Sequence, residues 1–208
     1  MPYKVLVVDD QNMPRQLFEN IIHNDAQYEL VDSVDSASVA DVYCAKKQID
    51  LIVMDVVMSG GINGIDAAAR IKKSYPKTKI LIVTSMPDST FLEKARKANV
   101  DSFWYKEVQD APLLEIMDRT MAGEHVFPDR SPVVSIGLAQ STDFTERELE
   151  VLRYVAAGYA DKEIADLLCI SYGTVRVHLT NLLQKTACSS RTELAIIAAK
   201  TGIVVPEI

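Results

Sequence analysis

Four short apolar runs in the first half of the chain each end on a residue suited to phosphoryl chemistry. Lys4-Val5-Leu6-Val7-Val8 stops at Asp9-Asp10, and Leu51-Ile52-Val53-Met54 stops at Asp55. Lys79-Ile80-Leu81-Ile82-Val83 stops at Thr84, and Phe103-Trp104-Tyr105 stops at Lys106. Apolar runs of this length, bounded by polar residues, read as buried parallel strands. In open α/β sheets, reacting groups collect at the carboxyl ends of such strands. Asp9, Asp10 and Asp55 would then place up to three carboxylates together, each like-charge pair costing about 4 kcal/mol at 4 Å and an effective dielectric near 20. Such a cluster is tolerable with a cation present. Hard oxygen donors suit Mg2+, which could also hold a phosphoryl donor. A carboxylate can act as nucleophile and form an acyl phosphate. Asp55, the lone acid centred in the sheet, is the natural acceptor. Lys106 and Thr84 can then contact the phosphoryl oxygens.

The elements that must position these groups alternate up to about residue 122. Helical candidates are 13–22, 36–47, 65–74, 89–98 and 111–122, with a further strand within 28–34. Five strands alternating with five helices imply a doubly wound five-stranded parallel sheet. Residues 123–141 carry Pro128, Pro132 and Gly137 without helical periodicity, and read as a linker. From Thr142 to the end, residues 142–208 read as a small all-α domain. Thr145 and Glu148 fit a capping box, Asp161 can cap a second helix, and Ser171 can cap a third. A fourth helix spans about 191–200. The arrangement contains a helix-turn-helix candidate.

In the third helix, steps of four place Arg176, Thr180 and Gln184 on one face, with Val177 and Asn181 beside them. Val175, Leu179 and Leu182 lie opposite. Arg, Asn, Gln, Val and Thr have the functional groups to read base edges in a major groove. Residues 142–208 hold seven basic and nine acidic residues, a net of −2, yet no acid lies between Asp166 and Glu193. Lys162, Lys185 and Arg191 are candidate phosphate contacts. So weak a field predicts poor binding by a monomer, and hence dimers on paired half-sites.

Composition narrows the field further. The 208-residue chain has a net charge of −7, so any nucleic-acid function rests on local charge. Three cysteines and three histidines, scattered and without a C-x-x-C, argue against zinc. No apolar stretch approaches membrane-spanning length and no signal-peptide pattern is present, so a cytoplasmic location with no membrane partner is expected.

Residues 1–122 resemble the receiver domain of bacterial two-component response regulators, on Val7-Val8-Asp9-Asp10, Met54-Asp55-Val56-Val57-Met58, Val83-Thr84-Ser85 and Phe103-Trp104-Tyr105-Lys106. The resemblance implies a flavodoxin-like fold. It also implies that Asp55 accepts phosphate from a sensor histidine kinase and that Asp9, Asp10 and Asp55 hold Mg2+. Thr84 would be the switch hydroxyl, Lys106 the phosphoryl contact and Phe103 the switch aromatic. Thr145-Glu146-Arg147-Glu148-Leu149-Glu150-Val151-Leu152, Lys162-Glu163-Ile164-Ala165 and Thr174-Val175-Arg176-Val177-His178 are similar to the LuxR-type helix-turn-helix. Together the halves resemble a NarL/FixJ-type transcriptional regulator, not an enzyme. That likeness implies base reading by Arg176, Val177 and Thr180, and homodimer contact on activation through the last helix, with Leu194, Ile197, Ala198 and Thr201 as its face. The sequence departs from the pattern at Met58-Ser59-Gly60-Gly61-Ile62-Asn63-Gly64, which lacks the usual proline and is longer, and at Ala160-Asp161, where Ser-Asn is more usual.

Two other readings stand beside this one. Acid clusters with an Asp nucleophile also serve phosphohydrolases of the haloacid dehalogenase type, although those use an Asp-x-Asp on the first strand. The acidic balance of the C-terminal half also suits an adaptor that binds protein instead of DNA.

Overall fold

The computed structural model describes residues 1–58, 63–106 and 112–205. The chain divides into two compact units, Met1–Ser85 with Ser89–Arg130, and Met86–Asp88 with Ser131–Ile208. Among the described residues, no helix is long and apolar enough to cross a membrane.

The first unit is built on a parallel sheet. Strands β1 (Tyr3–Val8), β2 (Tyr28–Val34), β3 (Leu51–Asp55), β4 (Lys79–Thr84) and β5 (Ser102–Tyr105) lie in the order β2-β1-β3-β4-β5. All the pairings are parallel. The apolar runs fall on β1, β3 and β4, whose inner residues are fully buried because helices cover both faces of the sheet. Strand β2, at one edge, is mostly half-buried, which explains its mixed sequence. Between the strands run α1 (Asn12–His23), α2 (Ala40–Lys46), α3 (Gly64–Ser74) and α4 (Thr90–Lys97), with α5 (Leu113–Met121) after β5. Phe18 and Ile22 of α1 and Leu113, Ile116 and Met117 of α5 share a core with Val5, Val7, Leu51, Val53, Leu81 and Val83. Alternate residues of each strand face this core, as the two-residue pleat requires.

Two local features pin the ends of the strands. Gly64 opens α3 directly beneath Asp55: a Cβ there would stand 1.9 Å from the Asp55 carbonyl oxygen, so only glycine fits. The Gly64 N–H donates to the Val56 carbonyl at 2.9 Å, fixing the exit from β3. At the far end of the strands, Asp101 accepts from Lys72, Lys79 and the Ile80 N–H. Burial pushes the Asp101 carboxyl up, but these donors outweigh it and hold it below the ordinary carboxylate range.

Residues 123–141 are not a featureless connection. The Phe103 N–H of β5 donates to the Val126 carbonyl at 2.8 Å, and the Val126 N–H donates to Ser102 Oγ at 3.1 Å. Phe127 lies 6.3 Å from Phe103, ring centre to ring centre. The first unit therefore continues past residue 122, as far as Arg130. Within the second unit, β6 (Ser135–Ile136) and β7 (Ala139–Gln140) form a small hairpin. Gly137 turns it at φ +60°, pressed against the Thr186 carbonyl.

Helices α6 (Glu146–Ala156), α7 (Asp161–Leu167), α8 (Tyr172–Thr186) and α9 (Arg191–Thr201) complete the second unit. Their core includes Val151, Leu152, Val155, Ile164, Val175, Leu179, Leu182, Leu194 and Ala198. The Thr145 hydroxyl accepts from the Glu148 N–H while Glu148 accepts from the Thr145 N–H, the reciprocal cap expected at this start. Ser171 caps α8 through the Thr174 N–H. Asp161 does not cap α7. Ala160 holds the extended N-cap conformation, Glu163 accepts from the Ala160 N–H at 2.7 Å, and Asp161 is the first helical residue.

Candidate functional site: an acidic pocket and an exposed helix

Strand register decides which side chains meet. Asp9 follows β1, Asp55 ends β3, Thr84 ends β4 and Lys106 follows β5, all at the same edge of the sheet. The Lys106 N–H donates to the Thr84 carbonyl at 2.9 Å, which brings the last two together. Lys106 Nζ then donates to Asp9 Oδ2 at 2.7 Å and to Asp55 Oδ2 at 3.1 Å. The remaining oxygens are also engaged: Asp9 Oδ1 accepts from the Gln11 N–H and Asp55 Oδ1 from the Val56 N–H. Carboxylate oxygens of Asp9, Asp10 and Asp55 all lie within 4.8 Å of one another. Thr84 and Phe103 are fully buried. Gly60 and Gly61, in the longer loop after β3, fall outside the described residues.

The electrostatics of this pocket favour a further cation. Among the described residues, three clustered carboxylates stand at a largely buried edge and the Lys106 ammonium bridges two of them, a concentration of negative charge. Asp55 is 3% exposed. Burial pushes its carboxyl up to about 6, with Asp9 adding to the rise and Lys106 opposing it. A divalent cation with hard-oxygen preference matches both this concentration of charge and the donor set.

The second unit presents α8 outward. Arg176, Val177, Thr180, Asn181 and Gln184 each have solvent-accessible surface, while Val175, Leu179 and Leu182 are buried, as the four-residue spacing predicts. Tyr172, 53% exposed, extends the same row by one turn. Sequence reasoning missed it, although its position four residues before Arg176 was the available signal. Lys162 is exposed.

The other two basic candidates are occupied. Lys185 Nζ donates to Glu148 Oε2 at 2.7 Å and to the Asp143 carbonyl at 2.8 Å. Burial pushes the Glu148 carboxyl up, but Lys185 and Thr145 more than reverse this and hold it below the ordinary carboxylate range. Lys185 therefore braces α8 against the start of α6, and its charge is neutralised. Arg191 donates to the Tyr159 carbonyl and sits 3.3 Å from Asp161.

The expected dimer face on α9 needs correction. Leu194 and Ala198 are fully buried in the unit's own core, and Ile197 and Thr201 are only partly accessible. Ile196, 50% exposed, is the large apolar residue that α9 turns to solvent. The run Leu194 to Ala199 is apolar on every side, so periodicity gives no direction there.

Comparison with known proteins agrees with both halves. Residues 5–118 match the response regulator receiver domain, and residues 142–198 match the LuxR family of bacterial regulatory proteins. The chain is 31% identical over 212 residues to the response regulator protein VraR of Staphylococcus aureus, covering 98% of this chain and the whole of that protein. Its fold is similar to that of RcsB in a complex with DNA, with a TM-score of 0.62 at 17% identity over 96% of this chain and 98% of that one. RcsB from Salmonella enterica serovar Typhimurium, bound to promoter rprA with the phosphomimetic BeF3−, gives 0.60 at 17% identity, covering 94% and 97%. The phosphohydrolase alternative falls with these matches. The chain belongs to the two-component response regulators with a LuxR-type DNA-binding domain, and so regulates transcription and is not an enzyme.

Proposed function

We propose that Asp55 accepts a phosphoryl group from a sensor histidine kinase, and that the acyl phosphate drives dimerisation and promoter binding in the cytoplasm. The observation that carries this reading is Lys106 Nζ bridging Asp9 and Asp55, with Asp10 in reach of both acids. In the transfer, an Asp55 oxygen forms the new O–P bond as the P–N bond of the phosphohistidine breaks, and the imidazole nitrogen leaves with the electron pair. Asp9, Asp10 and Asp55 would hold Mg2+, which when bound screens charge on the phosphoryl oxygens. Lys106 gives up its bridge to Asp55 and follows the phosphoryl group. The Thr84 hydroxyl and the Phe103 ring, buried on neighbouring strands, are the residues that would rearrange around it. A useful switch requires the phosphate to favour one receiver state by several kcal/mol.

In the second unit, Arg176, Val177, Thr180 and Asn181 read bases in the major groove while Lys162 contacts phosphate. Paired half-sites follow from the weak field of a single net-negative unit. Incubation with acetyl phosphate and magnesium should label the wild-type chain, raise its sedimentation coefficient and tighten its binding to promoter fragments. Asp55→Asn should abolish all three responses while leaving the basal affinity for DNA in place. Labelling that survives in Asp55→Asn would sink the assignment.

A further inference from the structure

The carboxylate of Asp161 lies between Arg176 of the reading helix and Arg191 at the start of α9. Its Oδ1 is 3.3 Å from Arg191 Nε and its Oδ2 is 3.7 Å from Arg176 Nη1. Asp161 is largely covered, with its side chain 15% exposed, whereas Arg176 reaches out at 62%. Asp161 does not act as the helix cap: Ala160 holds the N-cap position, and Glu163 accepts from its N–H. It is also the acid that stands where the LuxR-type pattern more usually carries a neutral residue. Besides its bond to Arg191 at the start of α9, Asp161 thus holds a negative charge beside the exposed arginine of α8.

We infer that Asp161 is a specificity-determining residue that suppresses sequence-independent DNA binding. This rests on the reading of α8 as the groove-facing helix. The carboxylate neutralises part of the charge that Arg176 and Arg191 would offer to phosphates, and it repels the phosphodiester directly. Sequence-independent affinity comes almost entirely from such phosphate contacts, whereas base-edge contacts carry discrimination. Arg176 meets Asp161 only at 3.7 Å, so it can exchange that carboxylate for a base edge when the right sequence arrives. A wrong sequence provides no such exchange. Asp161 thereby lowers binding to all DNA and leaves the correct site least affected.

The test uses the full chain, a short random-sequence duplex and a duplex enriched from a random pool by the wild-type protein, with affinity read by fluorescence anisotropy across salt concentrations. Asp161→Asn and Asp161→Ser should each bind the random duplex about fivefold more tightly, with a salt slope steeper by about one. The gain on the enriched duplex should be smaller, so discrimination falls. Adding Arg176→Ala to either variant should cancel most of the gain. If both Asp161 variants bind the random duplex no more tightly, while Arg176→Ala alone still weakens the enriched duplex, the inference is overturned and the reading of α8 stands. If Arg176→Ala changes binding to neither duplex, that reading fails and takes the inference with it.

Discussion

Replacing Lys106 by Met is expected to destabilise the first unit by about 3–5 kcal/mol at pH 8 without divalent cations, the range for removing one partner of a buried ion pair. The substitution keeps the aliphatic stem but removes the ammonium that Asp9 and Asp55 share at 2.7 and 3.1 Å. Neither carboxylate can recover hydration, since both are nearly inaccessible. Asp55, whose pKa Lys106 helps to hold down, would rise further and take up a proton more readily. The loss should therefore shrink as pH falls from 8 towards about 6, because Asp55 of the variant takes up its proton before the wild-type residue does, and it should level off below that. Urea unfolding followed by Trp104 fluorescence isolates this unit, since Trp104 is the sole tryptophan of the chain. A variant as stable as wild type at pH 8 would contradict the role assigned to the bridge. Added magnesium should restore part of the loss by mass action.

The second large effect is a pH dependence with the opposite sign from that of an ordinary surface acid. Asp55 is raised from 3.8 to about 6. The folded state therefore holds the Asp55 proton more tightly than the unfolded chain does. Between those values the folded protein binds more protons, so its stability falls as pH rises through the window. Above pH 6 the full cost of a buried ionised Asp55 applies, about 3 kcal/mol, because each tenfold gain in proton affinity corresponds to about 1.4 kcal/mol. Asp55→Asn removes the titration while keeping the shape. The variant should be about 2–3 kcal/mol more stable than wild type at pH 7.5, with little difference near pH 4. Magnesium should narrow the gap at pH 7.5 by stabilising the wild type. A gap that widens as pH falls would show that Asp55 is stabilised as a carboxylate by its surroundings.

Much of this arrangement was legible because it depends on patterns local to each strand or helix. Asp9, Asp55, Thr84 and Lys106 each close an apolar run, and a parallel sheet carries such ends to one edge without further information. Thr145 with Glu148, Ser171, and the spacing of Arg176, Thr180 and Gln184 are likewise signals confined to one helix. What escaped depends on partners distant in sequence. Lys185 looks like a free cation until Glu148, 37 residues away, is folded against it. Leu194 and Ala198 read as outward because α9 is apolar all round, and only packing against the other helices of the unit decides which residues turn inward. The misplaced cap at Asp161 has a local cause. Asp is a favoured N-cap, but the N-cap falls one residue earlier, at Ala160, so Asp161 lies inside the first turn, where it meets two arginines. The hairpin at 135–140 has strands of two residues each, too short for an alternation to register.

The backbone bond from Phe103 to Val126 has a bearing on how this protein avoids aggregation. An uncovered outer strand offers a row of N–H and C=O groups to any other chain. Here the stretch around Val126 and Phe127 sheathes β5, so β-augmentation between molecules is blocked along that margin. A fragment ending at residue 122, where the helical pattern stops, would lose the sheath and tend towards insoluble assemblies. One ending at Arg130 would keep it and remain dispersed.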